Sequence, residues 1–374
     1  MKWLEMRRFF LWEQDVAGSN PAAPTNLNMM IKYSPLKKLI VLLIIIALNG
    51  YLSACVPLTA PLDKKCIAYR AAFDIGSGTT KMKVAKVNIC APINAEIIYR
   101  KEIKVPYAEN YQSGLFNQKI RNAGIIALQQ LKNEAINNRA EAFAGVATES
   151  FRRAADSAEF FREVKTQTGL SIKLIDQDQE AILGYQAVSL ALTGKNDKFV
   201  VWDIGGASMQ MIFRQQDQKF IIYRGKIASV SFKEKILTQI KQQKPEQHSS
   251  PNPIGKENLK KAIELAGAAA DAVPEEMKRV IREPDAVIIG IGGVHNESIK
   301  KQLQSNGGYT HQELINAVNA RIGLNDKDIG GHYADTEISN LILVLGFMEK
   351  LGINEVIPVN VNLADGVLID PAFW

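Results

Sequence analysis

Cysteine and histidine are scarce in this sequence, with three cysteines and four histidines among 374 residues. The histidines show no spacing typical of metal ligands, so a zinc site built on them is not indicated. Positive charge is also limited, because the formal net charge is +6 and the basic residues form no run with interleaved aromatics. Nucleic acid is therefore not an expected partner. The 47% hydrophobic content and the length exclude a disordered chain and suffice for two domain cores.

No apolar run is long enough for a comfortable membrane span. The apolar run within residues 32–55 follows lysines and precedes small residues, which is the order in secretory signals. We therefore expect residues 29–54 to be a signal sequence. Residues 52–55 resemble the lipobox of bacterial lipoproteins, which implies cleavage before Cys55, lipid on Cys55 and a linker over 55–66. An uncleaved N-terminal anchor is the alternative.

The residues before this signal show neither helical nor strand periodicity and would place a polar tail in front of it. We expect residues 1–28 to be an upstream extension outside the true protein. Translation would then start at Met29 or Met30.

The other two cysteines, Cys66 and Cys90, would mature in an oxidising compartment, where pairing is allowed. Residues that pair across an antiparallel hairpin have a constant sum of residue numbers, and this pair is centred on Gly78 in an expected turn. We expect a disulfide between Cys66 and Cys90 that closes the open end of the hairpin. Two free thiols are the alternative.

Two similar stretches, AAFDIGSGTTKMKVAKV at 71–87 and VVWDIGGASMQMIF at 200–213, each predict a buried strand that ends at an aspartate, turns on glycines and resumes as a second strand. Each is followed by a third strand and then by alternating helices and strands. This internal duplication predicts two α/β domains facing each other across a cleft. We place domain I at 67–179 and domain II at 180–360, and expect 361–374 to pack back on domain I.

The two turns are candidate phosphate loops. Glycines let the backbone approach a ligand, successive N–H groups form an anion-binding concavity, and hydroxyl groups add donors. The expected phosphate-binding residues are Gly76, Ser77, Gly78, Thr79 and Thr80 in the first loop and Gly205, Gly206, Ala207 and Ser208 in the second. A single loop of this kind is often only a turn, but two copies at equivalent places favour a function. A third similar string at 328–336 follows no apolar strand, so we expect a loop before a helix there.

An aspartate follows the buried part of each first strand. A carboxylate beside a core is costly unless it meets a cation or hydrogen-bond donors. Asp74 and Asp203 facing each other across the cleft would hold a divalent metal, and their oxygen ligands favour Mg²⁺.

The two loops resemble the phosphate loops of the superfamily of acetate kinase, sugar kinases, Hsp70 and actin. The stretch at 146–188 is similar to the family of exopolyphosphatases and guanosine pentaphosphate phosphohydrolases, with a weaker likeness from 69 to 370. The resemblance implies two ribonuclease H-like, actin-like ATPase domains. It also implies removal of a terminal phosphate from inorganic polyphosphate or pppGpp, with Mg²⁺ as cofactor.

Carried over by position, the resemblance implies that Glu180 is the catalytic glutamate, Arg152 binds phosphate and Asp203 is linked to the metal. A carboxylate at the start of a helix would also orient a water for in-line attack. The residues alone leave alternatives open: Glu180 as a charge at a helix N-terminus, and Arg152 as half of a surface ion pair. We expect Glu149, near Arg152, to be solvated.

The stretch IGIGGVHN at 289–296 resembles the third glycine loop of the superfamily, so Gly292 and Gly293 are further candidate phosphate-binding residues. We expect His295 in this loop to line the cleft.

The second loop departs from the usual family pattern D-I-G-G-G-S-T-E by Ala207, Met209 and Gln210. Ala207 stiffens a turn that we expect to need a positive φ, and Met209 removes a hydroxyl. Gln210 replaces a carboxylate expected near the metal, which should weaken Mg²⁺ binding. Gly78 stands where the family commonly has asparagine.

Two functions follow from these observations. The first is a phosphatase whose catalysis depends on Glu180 and Asp203. The second is an inactive relative that binds polyphosphate or a nucleotide as a periplasmic binding or scaffold protein, and Met209 and Gln210 favour it. The lipid would hold the protein at the periplasmic face of a bacterial membrane, which favours polyphosphate over a cytoplasmic nucleotide. A homodimer is left open.

Overall fold

Residues 64–90, 93–109, 111–112, 114–192 and 198–374 are described by the structure, which is a computed structural model. The expected upstream extension, the signal sequence and the lipidation site Cys55 lie outside these residues. Among the helices that are described, none combines the length and the apolar character needed to cross a membrane.

The described residues of the first half of the chain form seven strands and four helices. The strands are β1 (Ile67–Ile75), β2 (Thr79–Asn88), β3 (Asn94–Lys104), β4 (Tyr111–Gln112), β5 (Leu115–Phe116), β6 (Ala142–Ala147) and β7 (Ile172–Leu174). The helices are α1 (Gln118–Asn137), α2 (Glu149–Arg153), α3 (Ser157–Thr168) and α4 (Gln177–Ala191). The main sheet has the order β3-β2-β1-β6-β7, in which β1, β2 and β3 are antiparallel and β6 and β7 continue in parallel from β1.

The second half repeats this plan. Its strands are β8 (Phe199–Ile204), β9 (Met209–Arg214), β10 (Phe220–Gly225), β11 (Val287–Ile291), β12 (Tyr309–Thr310) and β13 (Glu355–Pro358). Its helices are α5 (Ser229–Lys235), α6 (Lys256–Ala270), α7 (Glu275–Ile281), α8 (Lys300–Leu303), α9 (His311–Arg321), α10 (Asp326–Ile329), α11 (Ala334–Leu351) and α12 (Leu363–Ile369). The sheet order is β10-β9-β8-β11-β13-β12, again with an antiparallel triplet beside the parallel strands β11 and β13, and with β12 antiparallel at the far edge. The predicted duplication and α/β fold class are confirmed.

The sheets belong to two lobes, each with its own apolar core. Lobe I consists of the first sheet with α1–α3, and α12 packs on β1, β2 and β6 of that sheet. Lobe II consists of the second sheet with α5–α11, and its core surrounds the fully buried Trp202 and most of α11. Helix α4 contacts α12 on one side and β8, β9 and β10 on the other. The expected domain boundary at residue 180 thus falls inside a continuous helix that touches both lobes.

The first hairpin differs slightly from its expected register. Ile67 pairs with Asn88 and Ile75 with Thr80, so the turn is centred between Ser77 and Gly78 and not on Gly78. Cys66 and Cys90 are both disulfide-bonded. Both cysteines lie just beyond the paired residues, which end at Ile67 and Asn88.

Candidate active site

The first glycine loop, residues 76–78, joins β1 to β2 in a turn in which the carbonyl groups of Ser77 and Gly78 already accept hydrogen bonds. Gly76 N–H donates to Thr79 O at 3.0 Å, Val105 N–H to Gly78 O at 3.0 Å and Ala108 N–H to Ser77 O at 2.9 Å. Within the part of the chain that is described, the N–H groups of Ser77 and Gly78 donate to no protein acceptor. Successive N–H groups of this kind form a concavity that suits an anion such as phosphate.

The second glycine loop, residues 205–208, has the same pattern. Gly205 N–H donates to Ser208 O at 3.0 Å, and Val230 N–H donates to Gly206 O at 2.8 Å. The N–H groups of Gly206 and Ala207 have no acceptor among the described residues. The loops approach each other, because a Cβ added to Gly206 would lie 3.8 Å from the Cβ of Ser77. The structure therefore brings the two predicted phosphate loops together.

The expectation that Ala207 needs a positive φ is wrong. Neither Ala207 nor any glycine of the two loops has a positive φ. Glycine at position 78 leaves open space beside the turn, because a Cβ there would meet no protein atom within 4 Å. The third loop differs, because Gly292 has φ 85° and an added Cβ there would overlap the Asp203 carboxylate. Glycine at 292 therefore lets Asp203 take its place in the site.

Three carboxylates gather beside the loops: Asp74, Asp203 and Glu180. Burial raises the pKa of Asp74, although the Lys81 ammonium and a hydrogen bond from the Leu363 N–H oppose the shift. Burial, followed by the charges of Glu180 and Asp74, raises the pKa of Asp203 to about 7. Because the charge of one carboxylate raises the pKa of another, the three groups are close enough to interact.

Glu180 is in the first turn of α4 and only 5% exposed. Its Oε1 accepts a hydrogen bond of 3.0 Å from Ser208 Oγ, and its Oε2 lies 2.9 Å from Arg152 Nη2. The latter contact is an ion pair and not an aligned hydrogen bond. Burial raises the pKa of Glu180 to about 7, although Arg152 and Ser208 favour its ionised form. A carboxylate with such a pKa is suited to accept a proton near neutral pH.

Arg152 is held from two sides. Its Nε donates to Glu149 Oε2 at 2.9 Å, and its Nη1 donates to the carbonyl of Ile175 at 2.8 Å. Glu149, which we expected to be solvated, therefore positions the guanidinium that faces Glu180. Arg152 is part of a partly buried cluster, not of an isolated surface ion pair.

Gln210 is directly opposite Asp203 in the β8–β9 pairing, so both side chains project from the same face of the sheet. Gln210 is 1% exposed, and neither its Oε1 nor its Nε2 has a hydrogen-bond partner. Unpartnered buried amide atoms are costly, so a group that bonds to the Gln210 amide would be stabilised here. Met209, its neighbour, is buried in the core of lobe II.

The fit of this site to Mg²⁺ depends on two aspartates and one amide. Among the described residues, no group of three or more Asp, Glu, His or Cys side chains is arranged to hold a metal. The carboxylates of Asp74 and Asp203 and the Oε1 of Gln210 are nevertheless hard oxygen donors, and Mg²⁺ commonly binds one or two carboxylates and keeps several waters. The donor set therefore fits Mg²⁺, with one carboxylate fewer than the family pattern.

Two predicted site residues lie elsewhere. Thr80 is fully buried beside the hydroxyl of Tyr107, because strand alternation turns it away from the face that carries Asp74. His295 does not line the cleft: it is 0% exposed, its Nδ1 is 2.6 Å from the Tyr309 hydroxyl, and burial lowers its pKa to about 3. His295 is therefore a neutral residue of the core, and the expectation that it lines the cleft is wrong.

Sequence reasoning missed Lys81. This residue is directly opposite Asp74 in the β1–β2 pairing and attracts both Asp74 and Asp203. Lys81 and Gln210 occupy equivalent positions of the two hairpins. The register expected from Cys66 and Cys90 would have placed Met82 opposite Asp74, so Lys81 is found only in the observed register.

Comparison with known proteins agrees with this geometry. A sequence model of the Ppx/GppA phosphatase family matches residues 86–316. The structure is similar to that of a PPX-GPPA enzyme from Aquifex aeolicus, with a TM-score of 0.64 and 20% identity, over 81% of this chain and 99% of that chain. It is also similar to an exopolyphosphatase from Cytophaga hutchinsonii, with a TM-score of 0.64 and 12% identity, over 80% and 96% of the two chains. The likeness shows a fold of two ribonuclease H-like domains, as in actin-like ATPases.

Proposed function

The chain belongs to the Ppx/GppA phosphatase family, and we therefore propose that it releases the terminal phosphate of a linear phosphoanhydride, with inorganic polyphosphate as the preferred substrate and pppGpp as the second candidate. The observation that carries this proposal is Glu180, held between Arg152 and Ser208 beside two loops with unbonded N–H groups. The similar protein from Cytophaga hutchinsonii is named as an exopolyphosphatase and the one from Aquifex aeolicus as a PPX-GPPA enzyme, which supports the choice of substrate.

In the proposed reaction, the N–H groups of the two loops bind the oxygens of the terminal phosphate. Glu180 orients a water and accepts its proton as the water oxygen attacks the phosphorus. The bond from that phosphorus to the bridging oxygen breaks, and the shortened chain leaves with the bridging oxygen. Arg152 neutralises charge on the phosphate, since phosphoryl transfer depends mainly on position and electrostatics. Mg²⁺ bound by Asp74 and Asp203 would supply further positive charge to the phosphate oxygens.

A purified-protein assay tests this proposal. We expect phosphate release from long-chain polyphosphate in a Mg²⁺ titration, with pppGpp tested in parallel. If polyphosphate binds but no phosphate is released at any Mg²⁺ concentration, the second candidate function holds: a binding protein on an enzyme fold. The unpartnered amide of Gln210, in place of a carboxylate, is the observation that favours that second candidate.

The activity should fall on the acid side of neutrality. Glu180 must be ionised to accept a proton, and its pKa is raised to about 7. The ionised fraction therefore decreases as the pH falls through 7, and we expect kcat/KM at pH 6 to be about one tenth of its plateau value. A pH profile of initial rates at saturating Mg²⁺ measures this. A profile that is flat from pH 5 to pH 8 would contradict the role of Glu180 as base.

We also propose that the protein acts outside the cytoplasm, anchored by lipid on Cys55. The signal-like sequence at 29–54 supports this location, and so does the disulfide-bonded state of Cys66 and Cys90, because such bonds persist in oxidising compartments. Metabolic labelling with a radioactive fatty acid, compared between the natural chain and Cys55→Ser, tests the anchor.

A further inference from the structure

Three lysines share one face of the first hairpin and its neighbour β3. Strand alternation puts Lys81 and Lys83 on the same face as Thr79, and Lys104 is directly opposite Thr79 in the β2–β3 pairing. Lys83 is neutralised by Asp365 at 2.6 Å, and Lys81 lies beside Asp74. Lys104 has no carboxylate within 4.0 Å in the described ranges. Glu102, two residues away on the same face of β3, is directly opposite Lys81. Lys104 is thus an exposed lysine of this face that forms no ion pair among the described residues.

The backbone of Lys104 is fixed to the first phosphate loop. Its partner Thr79 follows the loop directly, and the next residue, Val105, donates its N–H to the carbonyl of Gly78. A long, flexible side chain at this point reaches beyond the loop, toward the outer part of a ligand whose terminal phosphate the loop binds. The position therefore suits a cation for the next phosphates of a chain.

The Lys104 ammonium meets an aromatic ring of the other lobe. Its Nζ is 4.9 Å from the ring centroid of Tyr333, which is 50% exposed. Tyr333 ends the connection between α10 and α11, where Gly330 and Gly331 both have positive φ. The loop is shorter than the expected 328–336, because Ile329 is the last residue of α10 and α11 begins at Ala334. A cation–π contact at an exposed site is weaker than a charge-assisted bond to a phosphate oxygen. An incoming polyanion can therefore take the ammonium from the ring.

We propose that Lys104 is a substrate-binding residue for a phosphate beyond the terminal one, and that the Tyr333 ring holds its ammonium at the mouth of the cleft when no substrate is bound. The ligand class is a linear phosphoanhydride of three or more phosphates. This inference rests on the proposed function and adds a subsite to it. Lys104 makes the protein favour a chain of phosphates over a single phosphate group.

The test measures two ligands on one variant. In Lys104→Gln, we expect KM for tripolyphosphate to rise about tenfold, because a charge-assisted bond is lost, with kcat within twofold of the natural protein. The inhibition constant of inorganic phosphate, which fills only the terminal subsite, should not change. Lys104→Arg should restore most of the affinity. In Tyr333→Ala, KM should fall two- to fivefold because the competing ring is gone, whereas Tyr333→Phe should match the natural protein.

Lys101→Gln is the matched control, since Lys101 is on the same strand but pairs with Glu134 of α1 at 2.6 Å. The inference is overturned if Lys104→Gln leaves KM for tripolyphosphate within twofold, or if it weakens inorganic phosphate equally. A rise of KM in Tyr333→Ala would overturn the role of the ring. Failure of the proposed function gives a different result, because the natural protein itself would then release no phosphate from tripolyphosphate. If it still binds tripolyphosphate in calorimetry, the dissociation constants of the variants replace KM in the same comparison.

Discussion

Replacing Glu180 with glutamine is expected to lower kcat for phosphate release from polyphosphate by about 10²–10⁴-fold, the usual contribution of a positioned general base. Glutamine keeps the size of the side chain and can still accept the hydrogen bond from Ser208, but it cannot take a proton from water. The ion pair with Arg152 is also lost. Steady-state kinetics at saturating Mg²⁺ and substrate measure the effect, and thermal unfolding shows whether the variant is folded.

Asp178→Asn is the matched control for this variant. Asp178 is in the same first turn of α4, but its carboxylate is exposed and pairs with Arg224. Both substitutions remove one negative charge from the helix N-terminus, so they affect the helix dipole alike. We expect Asp178→Asn to keep kcat within about twofold. A loss below tenfold in Glu180→Gln, or equal losses in both variants, would mean that Glu180 acts only as a helix-terminal charge.

Gln210→Glu is expected to lower the Mg²⁺ concentration for half-maximal activity by about 10–100-fold, the range in which changes around a metal site alter affinity. The new carboxylate would stand opposite Asp203, where the amide of Gln210 has no partner. Without Mg²⁺, the added negative charge beside Asp74 and Asp203 should lower the unfolding temperature. Mg²⁺ should reverse that loss, because the metal binds the folded state.

Gln216→Glu, an exposed change in the β9–β10 turn, is the control for the added charge. It should leave both the Mg²⁺ requirement and the unfolding temperature unchanged. If Gln210→Glu needs as much Mg²⁺ as the natural protein, the metal does not lie next to position 210. The prediction from the sequence that Gln210 weakens Mg²⁺ binding would then be wrong.

Periodicity was sufficient to predict the duplicated architecture, because two strands joined by a glycine turn, a third strand and then alternating helices and strands occur twice along the chain. Residue type was sufficient to predict the glycine loops. Residue type could not show which way each side chain points. Thr80 has the same chemistry as Thr79, yet strand alternation directs the Thr80 side chain into the core beside Tyr107. His295 follows a glycine loop, yet the turn carries it under the sheet against Trp202 and Tyr309.

Partners from distant parts of the chain were also beyond sequence reasoning. The contact of Lys104 with Tyr333 joins residues from different lobes, and no local pattern relates them. Glu149 accepts a hydrogen bond from the guanidinium of Arg152, three residues later. The direction of that guanidinium is set by its bond to the carbonyl of Ile175, which lies on a separate segment. Such contacts follow from tertiary packing, which fixes side-chain directions that propensity and spacing leave free.

Glu180 has one partner from each lobe: Arg152 comes from lobe I, and Ser208 comes from the second loop of lobe II. A rotation that separates the lobes must therefore remove one of the two contacts, whichever lobe α4 follows. The base would lose either the positive charge that favours its ionised form or the hydroxyl that fixes its orientation. In the proposed reaction, Glu180 would have both partners only while the two lobes are together, which would limit turnover by a half-assembled site.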